Sequence, residues 1–252
     1  MNKTEHDTDK SQSVIEMRHI KKSFGKKEVL TDINMKLFKG ENLVVLGKSG
    51  TGKSVTIKCM VGLLVQDEGT AVVLGEDVNN LTSDQLKELR AKVGFLFQSA
   101  ALYDSMTVRE NLEFPLTRVL KLRDKADITQ RIEEVLEAVG LANAIDMMPS
   151  DLSGGMRKRI GLARTLILKP EIMLYDEPTT GLDPITSREI SELILQMQKK
   201  YKTSSIIITH DMACAEVTGD RLLVMHEGKI VAEGNYDELQ NSEDKLVRSF
   251  FK

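Results

Sequence analysis

The chain has 252 residues, a formal net charge of -3 and a hydrophobic fraction of 41%. This length suits one large α/β domain or two small ones, and the slightly acidic balance leaves no basic field over the whole chain, so no nucleic-acid partner is expected. The only cysteines, Cys59 and Cys214, are far apart and form no CxxC or Cys/His pattern. Neither a disulfide framework nor a zinc site is therefore expected.

The first twelve residues are polar and are predicted to form a flexible tail, with residues 13–252 forming one domain. The start, MNKTEHDTDKSQS, contains no apolar segment of the kind found in signal peptides. No apolar run approaches the roughly 20 residues that a membrane-spanning helix needs. We therefore expect a cytoplasmic protein.

Two segments near the start predict a small β-subdomain. Val14 to Ile20 and Glu28 to Leu37 alternate between apolar and polar positions, and Lys39-Gly40 then turns the chain. Asn42 to Leu46 is a short apolar run, typical of a buried strand. A glycine-rich turn and a helix extending through Leu64 are predicted to follow it.

The middle of the chain predicts an inserted all-α subdomain. Thr82 to Gln85 has the pattern of a capping box that opens a short helix, and Val93 to Phe97 is a second candidate for a buried strand. Between Thr107 and Leu152 the apolar residues recur with a helical period, and Gly140 is the expected helix C-cap. The apolar face of this helical segment carries Ile128, Ile132, Val135, Leu136 and Val139.

After Leu166, strands and helices alternate in a way that predicts a parallel sheet. The expected strands are Ile172 to Tyr175, Ser205 to Thr209 and Arg221 to Met225, and the expected helices begin near Pro184 and Met212. The sequence therefore predicts an α/β fold.

A phosphate-binding loop is predicted between the strand that ends at Leu46 and the helix after it. The loop matches the pattern G-x-x-x-x-G-K-[ST], and its residues are Gly47, Lys48, Ser49, Gly50, Thr51, Gly52, Lys53 and Ser54. Its glycines let backbone N–H groups turn toward one anion, and the helix presents the positive end of its dipole there. Lys53 is expected to neutralise the β and γ phosphates and Ser54 to bind Mg²⁺. An ordinary glycine-rich turn is the simpler alternative, but the flanking strand and helix favour a nucleotide site.

Two carboxylates, Asp176 and Glu177, directly follow the apolar run Ile172 to Tyr175. They are expected at the carboxyl end of a buried strand, where α/β sheets bind their ligands. Asp176 is expected to hold Mg²⁺, and Glu177 to orient or polarise the water that attacks the γ-phosphate. Taken alone the pair is equally compatible with a solvated strand end, and it gains significance only from the loop that begins at Gly47.

Further motifs, in their order and spacing, resemble those of ABC transporter ATPases. They are Leu152-Ser153-Gly154-Gly155-Met156, Asp176-Glu177-Pro178, Gly181-Leu182-Asp183 and Thr209-His210-Asp211, with Gln98 at the end of an earlier strand. The resemblance runs from about Val14 to Phe250. It implies a P-loop NTPase core of the RecA-like type with an N-terminal antiparallel β-subdomain and an all-α signature subdomain inserted at about residues 99–165.

The resemblance also implies roles for individual residues. Phe24 would stack on adenine, Gln98 would sense both Mg²⁺ and the permease, and Asp183 would complete the nucleotide contacts. His210 would act as a catalytic switch, although a lone histidine is more often a structural hydrogen-bonding residue. The lysines that flank Phe24 receive no role, because a charge run is usually a solvated face. They are Lys21, Lys22, Lys26 and Lys27.

The resemblance implies a homodimer. Ser153, Gly154 and Gly155 would cap the γ-phosphate of ATP bound to a second copy, and they are predicted to precede an amphipathic helix, Arg157 to Leu168, whose N-terminus suits an anion. A flexible joint before a helix is the plainer alternative for these three residues. Because each chain carries one phosphate loop and one signature loop, each ATP would lie between two subunits.

Two stretches resemble one subfamily, the ATPases of the Mla and Mce type lipid transporters. They are FLFQSAALYDSMTVRENLEFPL and LSGGMRKR, which carries Met156 where most members of the superfamily have glutamine. The resemblance implies a complex that moves phospholipids or other hydrophobic molecules between the inner and outer membranes of a bacterium. The implied partners are a multi-pass permease, contacted near Ser99 to Pro115, and a lipid-binding Mce-type component. The subunit would lie on the cytoplasmic face of the inner membrane.

Three other functions remain open at this stage. An importer for amino acids or another polar solute would use the same kind of ATPase. In that case Met156 would be a neutral substitution in the signature motif, unrelated to the cargo. A non-transport ABC protein acting on ribosomes or DNA usually has two ATPase domains or a long coiled-coil insertion, and this length leaves no room for either. A nucleotide-binding regulator that does not hydrolyse ATP would lack the carboxylate at Glu177.

Overall fold

The computed structural model describes residues 9–251, in which ten strands form one sheet. In chain order the strands are β1 Asp9–Phe24, β2 Lys27–Lys39, β3 Asn42–Leu46, β4 Glu68–Val73, β5 Glu76–Asp77, β6 Val93–Leu96, β7 Ile172–Asp176, β8 Ser204–Thr209, β9 Arg221–His226 and β10 Lys229–Gly234. Across the sheet their order is β5-β4-β1-β2-β10-β9-β3-β8-β7-β6.

The N-terminal part of the sheet is antiparallel, as predicted, because β1 pairs with both β2 and β4, and β4 pairs with β5. Strand β1 starts earlier than expected, since Asp9 is already paired with Lys39. Residues 9–12 therefore belong to a strand and not to a tail, because a polar segment joins a ladder through its backbone groups. The rest of the predicted tail, residues 1–8, lies outside the described residues.

The C-terminal part of the sheet is parallel in its centre, which confirms the predicted strand and helix alternation. Strand β3 pairs in parallel with β8 and β9, and β7 pairs in parallel with β6 and β8. Strand β10 runs antiparallel to β9, and its Lys229 pairs with Asp32 of β2, which joins the two parts of the sheet. All five residues of β3 are buried.

Helices cover the sheet and form the predicted insertion. The α-helices are α1 Lys53–Met60, α2 Ser83–Ala91, α3 Val108–Arg118, α4 Lys125–Ala138, α5 Gly154–Leu166, α6 Pro184–Tyr201, α7 Met212–Thr218, α8 Tyr236–Gln240 and α9 Lys245–Arg248. Helices α3, α4 and α5 pack against one another. The capping box between Thr82 and Gln85 opens α2 as predicted. Among residues 9–251, the helices are all too short or too polar to cross a bilayer.

The sheet separates two apolar cores. Successive residues of β3 point to opposite faces, so Val44 and Leu46 pack with α3 to α7, whereas Leu43 and Val45 pack with α1 and the antiparallel strands. Burial on both faces explains why the parallel strands have continuous apolar sequences. The carboxyl ends of these strands are thereby held in fixed positions on one edge of the sheet.

Two helix boundaries differ from the prediction. Helix α1 ends at Met60 and not at Leu64, because Gly62 takes a positive φ of 64°. Helix α5 starts at Gly154, with Ser153 as its N-cap, so the signature glycines form its first turn instead of preceding it. The helix N-terminus thus lies within the signature motif.

Candidate nucleotide-binding site

A cavity of about 510 Å³ lies at the carboxyl ends of the parallel strands. The loop after β3 forms one side of it. Gln98, Glu177 and His210, which follow β6, β7 and β8, contribute to the rest of the wall. The structure therefore brings together residues that are more than 100 positions apart in the chain.

The loop after β3 is shaped by glycine. Gly52 has a φ of 104°, and a Cβ atom there would lie 2.6 Å from Leu30 Cδ2 and 2.9 Å from the carbonyl oxygen of Val29. No other residue fits this close approach. Helix α1 then begins at Lys53 without a side-chain cap, which leaves its first N–H groups for an anion.

The Lys53 ammonium group is buried in this loop, with only 6% of the side chain exposed. It donates hydrogen bonds to the carbonyl oxygens of Gly47 and Lys48, at 2.6 and 3.1 Å. Its Nζ lies 3.5 Å from Glu177 Oε1. The cation of the loop and the predicted hydrolytic carboxylate thus meet at the cavity wall.

Ser54 and Asp176 also meet, since the Ser54 hydroxyl donates to Asp176 Oδ1 at 2.9 Å. Burial raises the pKa of the Asp176 carboxyl, the hydrogen bond from Ser54 opposes this shift, and the charge of Glu177 adds to it. Hydroxyl and carboxylate oxygens are ligands that Mg²⁺ prefers, so this pair fits the predicted ion. Among the described residues, no group of three or more His, Cys, Asp or Glu side chains is arranged to hold a metal.

Glu177 sits in an unusual backbone conformation, with a φ of 53°. Its carboxylate oxygen Oε2 lies 2.8 Å from His210 Nδ1 and accepts a hydrogen bond from the Thr180 hydroxyl at 3.2 Å. Its N–H donates to the carbonyl oxygen of Ile208 at 2.9 Å. The side chain is only 13% exposed, so the surrounding contacts determine its direction.

The other predicted site residues lie outside the cavity wall. Phe24 ends β1 and is 48% exposed, with Lys22 Nζ 5.6 Å from its ring centre. Asp183 caps α6, where its carboxylate accepts hydrogen bonds from the N–H groups of Ile185 and Thr186. The signature residues Ser153, Gly154 and Gly155 lie at the start of α5. Their predicted contacts with nucleotide stay predictions.

Several residues at the site were missed by sequence reasoning. Lys27 and Val29 line the cavity, whereas the charge run around Phe24 predicts a solvated face for Lys27. Thr180 also lines it, and its place three residues after Glu177 was a usable signal. Lys158 is buried behind the site, and its ammonium group donates to the carbonyl oxygens of Gln98 and Glu177.

The parallel sheet, the phosphate loop after β3 and the carboxylates after β7 define a P-loop nucleotide-binding protein. Residues 30–180 match the family model for ABC transporters. This is more than half of the chain, and the protein belongs to this family. It is an ATP-binding and ATP-hydrolysing subunit of an ABC transporter.

Similar proteins cover nearly the whole chain. The Arabidopsis thaliana protein TRIGALACTOSYLDIACYLGLYCEROL 3, chloroplastic, is 41% identical over 95% of this chain and 74% of its own length. The intermembrane phospholipid transport system ATP-binding protein MlaF of Haemophilus influenzae is 34% identical over 96% and 91%. The methionine import ATP-binding protein MetN of Rhizobium etli is 35% identical over 95% and 66%.

Solved structures share the fold. CbiO1 of Clostridium perfringens, part of an ABC transporter complex, superposes with a TM-score of 0.84 at 27% identity, covering 94% of each chain. A dimeric ATP-binding cassette in a post-hydrolysis state, bound to ADP and Pi, superposes with a TM-score of 0.79 at 29% identity, covering 88% of this chain and 98% of that one. The predicted ABC ATPase fold is thereby confirmed.

Proposed function

We propose that this subunit hydrolyses ATP to drive the movement of phospholipids or related hydrophobic molecules between two membranes. The chemical part rests on one observation. The Glu177 carboxylate lies between Lys53 and His210 at the wall of a cavity whose other side is the phosphate loop. A carboxylate beside a phosphate site is placed to accept a proton from the attacking water.

In this proposal the chain divides the work among its own residues. The backbone N–H groups of the loop and Lys53 bind the β and γ phosphates, and Glu177 orients the water and accepts its proton. His210 holds Oε2 of Glu177 and so directs the other carboxylate oxygen, Oε1, toward Lys53. Ser54, Asp176 and Gln98 would hold Mg²⁺, which neutralises charge on the transferring phosphoryl group. Phe24 would stack on the adenine ring.

We infer that the working form is a homodimer. Ser153, Gly154 and Gly155 form the N-terminus of α5, whose first N–H groups have no carbonyl partner within the helix, yet these residues do not line the cavity of their own chain. The phosphate of a nucleotide bound to a second copy would supply that anion. Asp183, at the start of α6, would contact the nucleotide in the same interface. The dimeric cassette of similar fold supports this arrangement.

We propose that a multi-pass permease binds near Ser99 to Pro115, the segment that follows Gln98 in the chain. Tyr103 lies in this segment and is 40% exposed, and Phe97, just before it, is 36% exposed. The subunit would then lie on the cytoplasmic face of the inner membrane, with a lipid-binding Mce-type component in the same complex. No nucleic-acid partner is proposed.

Similarity to MlaF over 91% of that protein supports the lipid cargo. The alternative is an importer for a polar solute, because MetN is similarly identical to this chain. MetN is matched over only 66% of its length, which leaves a third of that protein without a counterpart here. The lipid transporter is therefore the better proposal.

Glu177→Gln tests the catalytic part. It should retain ATP affinity within about twofold and lower turnover at least about 100-fold, because the amide cannot accept the proton. Equilibrium nucleotide binding and phosphate release would be measured on the transporter complex. Glu192→Gln, an exposed change on α6, is the matched control. Turnover at the unmodified rate in Glu177→Gln would exclude Glu177 as the base.

The cargo needs a separate experiment. The complex would be purified from its native membrane in mild detergent, and the copurifying proteins and lipids identified by mass spectrometry. A multi-pass permease with bound phospholipid is the expected result. A permease whose complex releases an amino acid and no enriched phospholipid would favour the importer.

A further inference from the structure

Lys158 is a buried lysine outside the nucleotide cavity, with 6% exposure. Its Nζ donates hydrogen bonds to the carbonyl oxygens of Gln98, at 2.6 Å, and Glu177, at 3.2 Å. These acceptors belong to the segments that follow the neighbouring parallel strands β6 and β7. One ammonium group therefore joins the segments at the ends of two strands, and the segment after β7 carries the proposed base.

The same contact reaches a third element. Lys158 lies on the second turn of α5, whose N-cap is Ser153 of the signature motif. A helix moves as a rigid unit over such a short distance, so a shift of its N-terminus is transmitted to the Lys158 ammonium group. Lys158 thus connects the signature helix, the segment after Gln98 and the Glu177 backbone.

The Glu177 backbone needs such support. Glu177 has a φ of 53°, in the left-handed region, where the Cβ atom of a non-glycine residue crowds the following carbonyl oxygen. Its N–H is held by Ile208, and its carbonyl oxygen accepts from Lys158 and from the Thr180 N–H at 3.3 Å. Fixing the peptide groups on both sides of this residue fixes the direction in which its carboxylate leaves the backbone.

We propose that Lys158 is a positioning residue for ATP hydrolysis, which fixes the Glu177 backbone and ties it to Gln98 and to α5. The inference rests on the proposed role of Glu177 as base. Its consequence is a mechanical link: displacement of the segment after Gln98, where the permease is proposed to bind, or of α5 changes the position of the carboxylate. Lys158 is not one of the residues that line the nucleotide cavity, although it contacts two that do.

A purely structural role makes a different prediction. Removing the ammonium group leaves two carbonyl oxygens with one donor fewer, which lowers stability whether or not Lys158 serves hydrolysis. A positioning role also lowers turnover in the folded protein while ATP affinity is kept. Small displacements of catalytic groups are known to cost up to about 100-fold in rate.

Lys158→Met, studied in the transporter complex, separates these roles. Turnover at saturating ATP should fall about tenfold or more, with ATP affinity changed by less than about twofold. Lys158→Arg, which keeps the cation and its donors, should recover part of the loss. Arg157→Met removes a positive charge from the same helix at a side chain with no partner among residues 9–251, and it should keep normal turnover. If Lys158→Met does not assemble, Lys158→Gln replaces it with the same expectation.

A double variant gives the decisive reading. If Lys158 acts through Glu177, Glu177→Gln with Lys158→Met should be no slower than Glu177→Gln alone. Two results would overturn this inference without affecting the role of Glu177 as base: turnover losses that multiply in the double variant, or normal turnover in Lys158→Met. Normal turnover of Glu177→Gln by itself would instead exclude Glu177 as the base, the part of the proposed function on which this inference rests.

Discussion

The two ends of the parallel sheet each carry a cluster of partly buried charges, and the clusters are built differently. At the amino ends of β3 and β9, Glu41 and Arg221 form a pair with two hydrogen bonds, at 2.7 and 2.9 Å. At the carboxyl ends, Glu177 lies 3.5 Å from the Lys53 ammonium group. Only the second cluster borders the nucleotide cavity.

The amino-end cluster is extensively hydrogen-bonded. Arg221 also donates to Glu233 and to the carbonyl oxygen of Lys36, both at 2.7 Å, while the Phe38 N–H donates to Glu41 at 2.9 Å. The guanidinium group thus makes four hydrogen bonds with its five N–H donors. Such a network joins the amino ends of β3 and β9 to β2 and β10.

The carboxyl-end cluster lacks a hydrogen-bonded pair between its lysine and its carboxylate. The Glu177 carboxylate accepts from the Thr180 hydroxyl and lies 2.8 Å from His210 Nδ1, but its Oε1 lies 3.5 Å from Lys53 Nζ, beyond the usual hydrogen-bonding distance. Buried charge alone therefore does not mark a functional site. An incompletely paired charge at the wall of a cavity does, because a substrate can complete its coordination.

Of the variants that test the difference between the two clusters, Arg221→Met is expected to have the largest effect. It should lower the free energy of unfolding by about 3–5 kcal/mol, because Glu41 would be left buried without its cation. Urea denaturation measures the change, and turnover of the folded fraction should stay normal. Arg188→Met, which removes an exposed pair with Glu192, should change stability by less than about 0.5 kcal/mol. A loss below about 1 kcal/mol in Arg221→Met would mean that the amino-end cluster is not structural.

Lys53→Met should affect ATP binding much more than stability, the opposite of Arg221→Met. ATP affinity is expected to fall about 10- to 100-fold, because a charge-assisted contact with phosphate is lost, while stability changes by about 1 kcal/mol or less. Equilibrium binding of ATP and thermal unfolding test the two parts. Lys199→Met, an exposed lysine on α6, serves as the control. Unchanged affinity would remove Lys53 from the site.

Asp176→Asn should stabilise the nucleotide-free protein at neutral pH, at the expense of turnover. Burial raises the folded-state pKa of Asp176 above its unfolded value. The ionised carboxylate therefore destabilises the fold at pH values above the raised pKa, and this penalty disappears as the pH falls below the unfolded value. Thermal unfolding at several pH values should show the gain shrinking toward acid. A gain that does not depend on pH would contradict this origin.

The smallest effect is expected from Thr180→Val. It removes one long hydrogen bond to the Glu177 carboxylate, at 3.2 Å, and should lower turnover about fivefold with ATP affinity unchanged. Steady-state kinetics measures the change, and Thr117→Val on α3 is a control for losing a hydroxyl elsewhere. An effect as large as that of Glu177→Gln would show that Thr180 has a more direct part in the site.

Local features of the site were predictable from the sequence. The loop from Gly47 to Ser54 is contiguous, and its glycine spacing determines a turn between β3 and α1 whatever surrounds it. The capping box at Thr82 and the strand Asn42–Leu46 were likewise read correctly, because each depends on neighbouring residues. Asp176 and Glu177 could be placed at a strand end for the same reason.

Contacts across the fold were not predictable in this way. Lys27 was read as part of a solvated charge run and lines the cavity, since only the sheet brings β2 beside the loop after β3. Asp183 caps α6 within its own chain, a contact that the sequence motif does not indicate, and its contact with nucleotide stays a prediction. Lys158, placed in the sequence as one of three consecutive basic residues, proved to be buried between two strand ends.

The sequence by itself determined the class of fold, the phosphate loop and the two carboxylates, because these follow from apolar periodicity and from groups of adjacent residues. The tertiary structure decided which distant side chains face the cavity. Glu177 and His210, for example, are 33 residues apart in the chain, yet Glu177 Oε2 lies 2.8 Å from His210 Nδ1. It also decided which oppositely charged groups lie close enough to form hydrogen-bonded pairs. Pairing strands from remote parts of the chain sets those distances, and no local pattern records them.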